Sequence, residues 1–125
     1  MKLLLDTHVL IWAMEDSPSL SEPARALLEQ ATASFVSAVS IWEMAIKSAM
    51  GKLQINLDRL LSRMTAAGFQ PLPITWAHAR AVRDLPLHHR DPFDRMLIAQ
   101  TISEPLVLLT HDEVLCRYSE LVKRV

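Results

Sequence analysis

The sequence predicts an α/β fold, specifically a three-layer α/β/α sandwich with a central parallel sheet. Short apolar runs alternate along the chain with segments of helical periodicity. Strands separated by helices pair in parallel, because right-handed crossovers return each strand to the same direction. Half of the 125 residues are apolar, so the chain can bury a sizeable core without disulfides or metals as supports. We therefore expect one domain over residues 1–125.

The predicted strands are short apolar runs bounded by turn residues or by helical segments. They are Lys2 to Leu5, Phe35 and Val36, Phe69 to Leu72, and Leu106 to Leu109. The third run is a weak strand because its prolines cannot donate hydrogen bonds to a sheet. After the fourth strand, the chain is expected to end in a final helical turn or two.

Each predicted helix except the first begins at or next to a residue that can cap its free amide groups. The predicted helices are Val9 to Met14, Ser21 to Ala31, Ala38 to about Met50 with Ser37 as its cap, a helix from Asn56 to Gly68, Thr75 to Arg83, and a helix that begins at Asp91. Gly51 and Gly68 are expected to end two of them. Trp12, Trp42 and Trp76 are expected in the core rather than on a base-stacking surface.

Composition argues against several classes of protein. The single cysteine, Cys116, rules out an intramolecular disulfide framework and fits a reducing compartment. The N-terminal run is interrupted by Asp6 and His8 and does not resemble a signal peptide. No apolar run approaches the roughly 18 residues of a membrane-spanning helix, so a soluble, cytoplasmic protein without a membrane partner is expected. The formal charge of −1 gives no bulk electrostatic case for nucleic acid.

Four acidic residues occupy positions that ordinary surface acids do not. Asp6 and Asp112 follow predicted strands, at the sheet edge where α/β proteins bind ligands. Glu43 and Asp94 lie on mostly apolar helix faces, where an unpaired carboxylate is costly. Each helical acid also has an ordinary explanation, since Glu43 can pair with Lys47 one turn later and Asp94 can serve its helix terminus.

These four carboxylates, taken together, predict a metal site. Two carboxylates about 4 Å apart repel by roughly 4 kcal/mol at an effective dielectric constant of 20, so four gathered acids need a cation or must bind protons. An all-oxygen ligand set suits Mg²⁺ or Mn²⁺ better than zinc. Without these four, ten acids remain against 13 bases, a balance of +3. An acidic site on a mildly basic body suggests phosphodiester cleavage by metal-activated water.

The stretch LHHRDPFDRMLIAQ, residues 87–100, combines a helix start with basic residues. Asp91 followed by Pro92 is typical of an N-cap and a first helical position. The basic side chains around it are predicted to contact phosphates, although a solvated loop would look the same. They are His88, His89, Arg90 and Arg95, extended by Arg80 and Arg83 on the preceding helix. A zinc site that starts from the two histidines is disfavoured because no second His or Cys cluster accompanies them.

Four segments of the chain resemble the PIN domain, and in particular the VapC toxins of bacterial toxin–antitoxin pairs. They are LLLDTHVLIW, SAVSIWEMAIK, LPLHHRDPFDRMLIAQ and LLTHD, in the expected order. The resemblance implies a parallel-sheet α/β/α fold and a Mg²⁺- or Mn²⁺-dependent endoribonuclease with Asp6, Glu43 and Asp94 in its site and Asp112 as a more variable fourth acid. It also implies a homodimer and a cognate antitoxin that covers the acidic groove.

The resulting hypothesis is an RNA hydrolase in which the four acids hold one or two metal ions. Water attack on phosphorus would leave a 5′-phosphate and a 3′-hydroxyl. Thr7 and Thr110 are expected to orient a water or a ligand, unless they only bond the backbone, and Asp91 is expected to support the site from its capping position. Two alternatives remain: an aspartyl-phosphate phosphatase that uses Asp6, although such enzymes usually carry a second aspartate where this chain has His8, and a non-catalytic module whose acidic groove binds a basic partner.

Overall fold

The computed structural model describes residues 1–125, which are built around a five-stranded parallel sheet in the order β3-β2-β1-β4-β5. The strands are β1 (Lys2–Leu5), β2 (Ala33–Ser37), β3 (Gln70–Leu72), β4 (Val107–Thr110) and β5 (Val122–Arg124). The first four lie where the sequence predicts them. The fifth was not predicted: a 3₁₀ helix, Glu113–Arg117, occupies part of the expected helical end, and β5 then pairs with β4. Only Val122 of β5 is buried, so this short edge strand has almost no apolar pattern.

Six α-helices connect and cover these strands. They are α1 (Thr7–Met14), α2 (Glu22–Gln30), α3 (Ala38–Ala49), α4 (Leu57–Ala66), α5 (Trp76–Ala81) and α6 (Pro92–Ser103). The predicted caps Ser21, Ser37, Asn56, Thr75 and Asp91 all accept a backbone amide hydrogen bond. Gly51 and Gly68 follow α3 and α4 with φ values of 74° and 86°, the left-handed conformation that ends many helices. The helix α5 is shorter than predicted, because residues 82–84 form a 3₁₀ turn.

The sheet separates two apolar layers, which confirms the predicted three-layer sandwich. Successive strand residues point to opposite faces: Leu3 and Leu5 pack on one side with residues of α1, α2 and α4. Leu4 packs on the other side with Leu97 and Ile98 of α6. No helix of the structure combines the length and apolarity needed to cross a bilayer.

The pairing of β1 with β4 brings two distant parts of the sequence together at the carboxyl edge of the sheet. Leu5 lies opposite Leu109, and the Asp6 amide donates a hydrogen bond to the Leu109 carbonyl at 3.0 Å. Asp6 and Thr110, which follow directly, are therefore neighbours. Helices α3 and α6 contact each other and also reach this edge, so each brings a side chain to the same place.

Candidate active site

A cleft of about 350 Å³ opens at this edge of the sheet, and all four predicted acids line it. We call it the acidic cleft. Its lining residues are Asp6, Thr7, His8, Trp12, Glu43, Lys47, Asp91, Asp94, His111 and Asp112. Five of these are carboxylates and one is a lysine, so the fixed charge of the cleft is strongly negative. The acids come from the end of β1, from α3, from the start of α6 and from beyond β4, which are separate parts of the sequence.

Asp6 is buried and held in one orientation. Its Oδ1 accepts the Val9 amide at 2.9 Å and so caps α1, while its Oδ2 accepts the Thr110 hydroxyl. Burial raises the pKa of Asp6, and the hydrogen bond from Thr110 opposes that rise. Thr110 also accepts the Asp112 amide at 3.0 Å. This threonine therefore joins the two acids that follow the central strands.

Glu43 is buried on α3 and is bonded at both oxygens. The Thr7 hydroxyl donates to its Oε1 at 2.7 Å, and the Lys47 ammonium donates to its Oε2. The hydrogen bond with Glu43 raises the pKa of Lys47. The pair of Glu43 with Lys47, one helical turn apart, is therefore present as the sequence suggested, and both residues line the acidic cleft.

Asp94 is the least compensated acid in the cleft. Its carboxylate accepts no hydrogen bond, and the nearest basic atom, Nε2 of His89, lies 3.5 Å away. Burial first, then repulsion from Asp91, raises the pKa of Asp94 to about 7, with further repulsion from Glu43 and Asp6. The cleft thus holds more negative charge than its own donors can neutralise.

The two remaining acids each cap a helix while lining the cleft. Asp91 accepts the amides of Phe93 and Asp94 at 2.8 and 3.0 Å, which starts α6. Asp112 accepts the Val114 amide at 2.9 Å through Oδ1, and its Oδ2 lies 3.0 Å from Nε2 of His89. Asp94, Asp112 and His89 each offer an atom within 4.8 Å of the others.

The basic residues predicted to contact RNA lie outside the lining of the cleft. Arg80, Arg83, His88 and Arg90 are exposed, and none of them lines the cleft. His89 turns its ring to Asp112, and Arg95 is engaged by backbone carbonyls. Four of these six residues are therefore exposed, whereas His89 and Arg95 bond to the protein itself.

Four residues that line the cleft were not predicted as site residues: His8, Trp12, Lys47 and His111. His8 and His111 are exposed, and the ring of Trp12 lies between them with centroid distances of 6.2 and 5.2 Å. Their closeness in sequence to Asp6 and Asp112 could have identified the two histidines. The expectation that the tryptophans lie in the core was wrong for two of them, because Trp42 is 59% and Trp76 95% exposed.

Arg95 fastens the loop of residues 85–91, which we call the connecting loop. Its guanidinium donates to the carbonyls of Val82 at 3.1 Å, Pro86 at 3.0 Å and His89 at 3.3 Å. We expect Arg95→Ala to lower the free energy of unfolding by about 2–4 kcal/mol, because several charged hydrogen bonds are lost together. Urea unfolding measures this. The exposed Arg83 is the matched control, and equal stability of Arg83→Ala and Arg95→Ala would contradict the structural role.

Comparison with known proteins agrees with this architecture. Residues 3–121 match the PIN domain. The fold and the cleft together define a class of protein: α/β/α sandwiches with acids gathered at the carboxyl edge of a parallel sheet. The chain belongs to the PIN domain family. No match is found among curated proteins.

Solved structures share the whole fold at low sequence identity. A structure of VapBC2 from Rickettsia felis bound to a DNA fragment from their promoter has a TM-score of 0.73 at 12% identity, covering 100% of this chain and 99% of that one. DNA-bound VapBC from Salmonella typhimurium has a TM-score of 0.67 at 14% identity and coverage of 100% and 97%. A toxin–antitoxin complex from Klebsiella pneumoniae has a TM-score of 0.66 at 19% identity and coverage of 98% and 99%.

Proposed function

We propose that this protein is a Mg²⁺- or Mn²⁺-dependent endoribonuclease and the toxin of a type II toxin–antitoxin pair. One observation carries the proposal: five carboxylates and a single lysine share one cleft, and the pKa of Asp94 is raised to about 7. Membership of the PIN domain family and the fold shared with toxin–antitoxin structures support it. Five carboxylates beside one lysine give the excess of negative charge that a site built for a divalent cation requires.

The donor set fits a hard cation. Asp6, Glu43, Asp94 and Asp112 offer carboxylate oxygens, the ligands that Mg²⁺ and Mn²⁺ prefer, and no cysteine lines the cleft. A divalent cation bound there would supply water activation and neutralise charge on the scissile phosphate. The residues around it fix the ligands: Thr110 and the Val9 amide orient Asp6, and Thr7 and Lys47 orient Glu43.

The surroundings of the cleft suit a single-stranded RNA. The rings of His8 and His111 both lie near the ring of Trp12, and all three line the cleft; aromatic rings bind unpaired bases by stacking. Arg80, Arg83, His88 and Arg90 are exposed nearby in the sequence stretch that leads to Asp94. We assign the rings to bases and these basic side chains to phosphates.

The proposed partners are a cognate antitoxin and a second copy of the chain. The structures from Salmonella typhimurium and Klebsiella pneumoniae are described as VapBC and as a toxin–antitoxin complex. Large exposed apolar side chains such as Trp42, Trp76 and Leu87 mark surfaces that another chain can cover. We propose that the antitoxin silences the enzyme by covering the acidic cleft, and that the working location is the cytoplasm.

RNA cleavage with end-group analysis tests the proposed reaction. Purified protein with Mn²⁺ or Mg²⁺ is expected to cut RNA and leave 5′-phosphate and 3′-hydroxyl ends, and a chelator is expected to stop it. A 2′,3′-cyclic phosphate product would contradict attack by water, since that product requires attack by the ribose hydroxyl. Cleavage that persists in the chelator would contradict the need for a cation.

A further inference from the structure

His89 joins two of the cleft acids that come from different parts of the chain. It lies in the connecting loop, and its Nε2 is 3.0 Å from Oδ2 of Asp112 and 3.5 Å from Oδ2 of Asp94. Asp112 follows β4 and Asp94 lies in the first turn of α6. The imidazole is the one basic group in contact with either carboxylate.

The hydrogen-bond geometry decides which nitrogen of His89 carries the hydrogen. The backbone amide of Asp91 donates to Nδ1 at 3.0 Å, so Nδ1 has no hydrogen of its own. The neutral ring must then carry its hydrogen on Nε2, which points at Asp112. A histidine that bound a metal through Nε2 would need its hydrogen on Nδ1, where it would meet the Asp91 amide hydrogen. His89 is therefore built to donate to the Asp112 carboxylate rather than to bind a metal itself.

The backbone of His89 is fixed as firmly as its ring. Its amide donates to the Tyr118 hydroxyl at 2.8 Å, and its carbonyl accepts from Arg95 at 3.3 Å. The Arg95 guanidinium also reaches the Tyr118 hydroxyl at 3.3 Å. Tyr118 follows the 3₁₀ helix that Asp112 caps, so the connecting loop is tied to that helix both through the ring of His89 and through its main chain.

We propose that His89 is a positioning residue that presents Asp112, and secondarily Asp94, to the divalent cation. Without its Nε2 hydrogen bond, Asp112 would keep only the Val114 amide on its other oxygen, and its side chain, 38% exposed, would be free to turn toward water. The inference rests on the proposed function because a cation is what the acids are positioned for. It adds to that function a histidine that hydrogen-bonds to a proposed metal ligand without coordinating the metal itself.

Titration calorimetry with Mn²⁺ tests this role in the full chain. We expect His89→Ala to weaken Mn²⁺ binding about 10- to 100-fold, the usual cost of losing a partner of a metal ligand. His89→Gln, whose amide nitrogen can replace Nε2 as a donor, is expected to recover most of the affinity. Lys52→Ala is the control, because it removes a basic side chain that is exposed in the turn after α3 and lies outside the lining of the cleft, and it should bind Mn²⁺ like the parent.

Three outcomes of the calorimetry would overturn the proposal, each in a different way. Parent-like Mn²⁺ affinity in folded His89→Ala would remove the role of His89 alone. If His89→Gln did not recover Mn²⁺ affinity, and the variants lost more affinity for Zn²⁺ than for Mn²⁺, His89 would be a metal ligand. No Mn²⁺ binding by the parent protein would remove the proposed function and this inference with it. Nitrogen chemical shifts of the metal-free protein give an independent check: we expect the Nε2–H form, and the Nδ1–H form would contradict the geometry even if the alanine variant failed to fold.

Discussion

Asp94→Asn is expected to abolish RNA cleavage and, at the same time, to stabilise the metal-free protein. The carboxylate accepts no hydrogen bond and its pKa of about 7 reflects the cost of ionising it in the cleft. At pH 8 that cost is present in full, and an amide of the same shape avoids it. Each pKa unit corresponds to about 1.4 kcal/mol, so the free energy of unfolding of Asp94→Asn should be higher by an amount on the order of 2–4 kcal/mol. This gain raises the melting temperature by several degrees.

Loss of activity with a gain in stability separates a site residue from a structural one. We expect cleavage to fall at least ~100-fold, because a lost metal ligand should cost more than a lost partner of a ligand. Thermal denaturation in a chelator at pH 8 measures stability, and a labelled RNA measures turnover. Asp58→Asn is the matched control: Asp58 also lies in the first turn of a helix but is exposed, so neither quantity should change much. Full activity, or a lower melting temperature, in Asp94→Asn would refute the assignment.

The fold could be predicted largely because its determinants are local. Capping side chains such as Ser37 and Asn56, and the glycines after α3 and α4, act within a few residues of the position they mark. β5 could not be predicted in the same way. It has three residues, two of them charged and exposed, and it exists because β4 offers it a partner, which is a tertiary effect.

The acids of the site were predictable because they break a pattern, whereas the contacts of His89 and Arg95 were not. Glu43 and Asp94 interrupt apolar helix faces, and burial of an acid is costly enough that such an interruption needs a reason. A basic residue in a polar loop interrupts nothing. His89 and Arg95 could equally face RNA or the protein itself, and only the fold brings His89 to Asp112 across 23 positions and Arg95 to the connecting loop's carbonyls. The exposure of Trp76 is likewise set by packing.

The metal-free protein is expected to lose stability as the pH rises from about 4 to about 7, and Mn²⁺ or Mg²⁺ is expected to restore it. The folded-state pKa of Asp94, about 7, is above its ordinary value of 3.8. In this window the folded state holds the proton that the unfolded state has already released, so stability falls as pH increases. Burial raises the pKa of Asp6 in the same direction. Above pH ~7 the carboxyl is ionised in both states and the loss is complete.

A divalent cation competes with that proton for the same carboxylate, so its effect should have the opposite dependence on pH. At 100 times its dissociation constant a ligand stabilises the folded state by about 2.7 kcal/mol. We expect the rise in melting temperature on adding Mn²⁺ to be several degrees at pH 8 and much smaller at pH 5, where Asp94 is protonated. Thermal scans with and without chelator measure both trends.

In Asp94→Asn the fall in stability with pH should shrink and the Mn²⁺ effect should largely disappear, which assigns both to this carboxyl. An equal Mn²⁺ effect at the two pH values, or an unchanged effect in the variant, would show that the cation binds elsewhere on the protein.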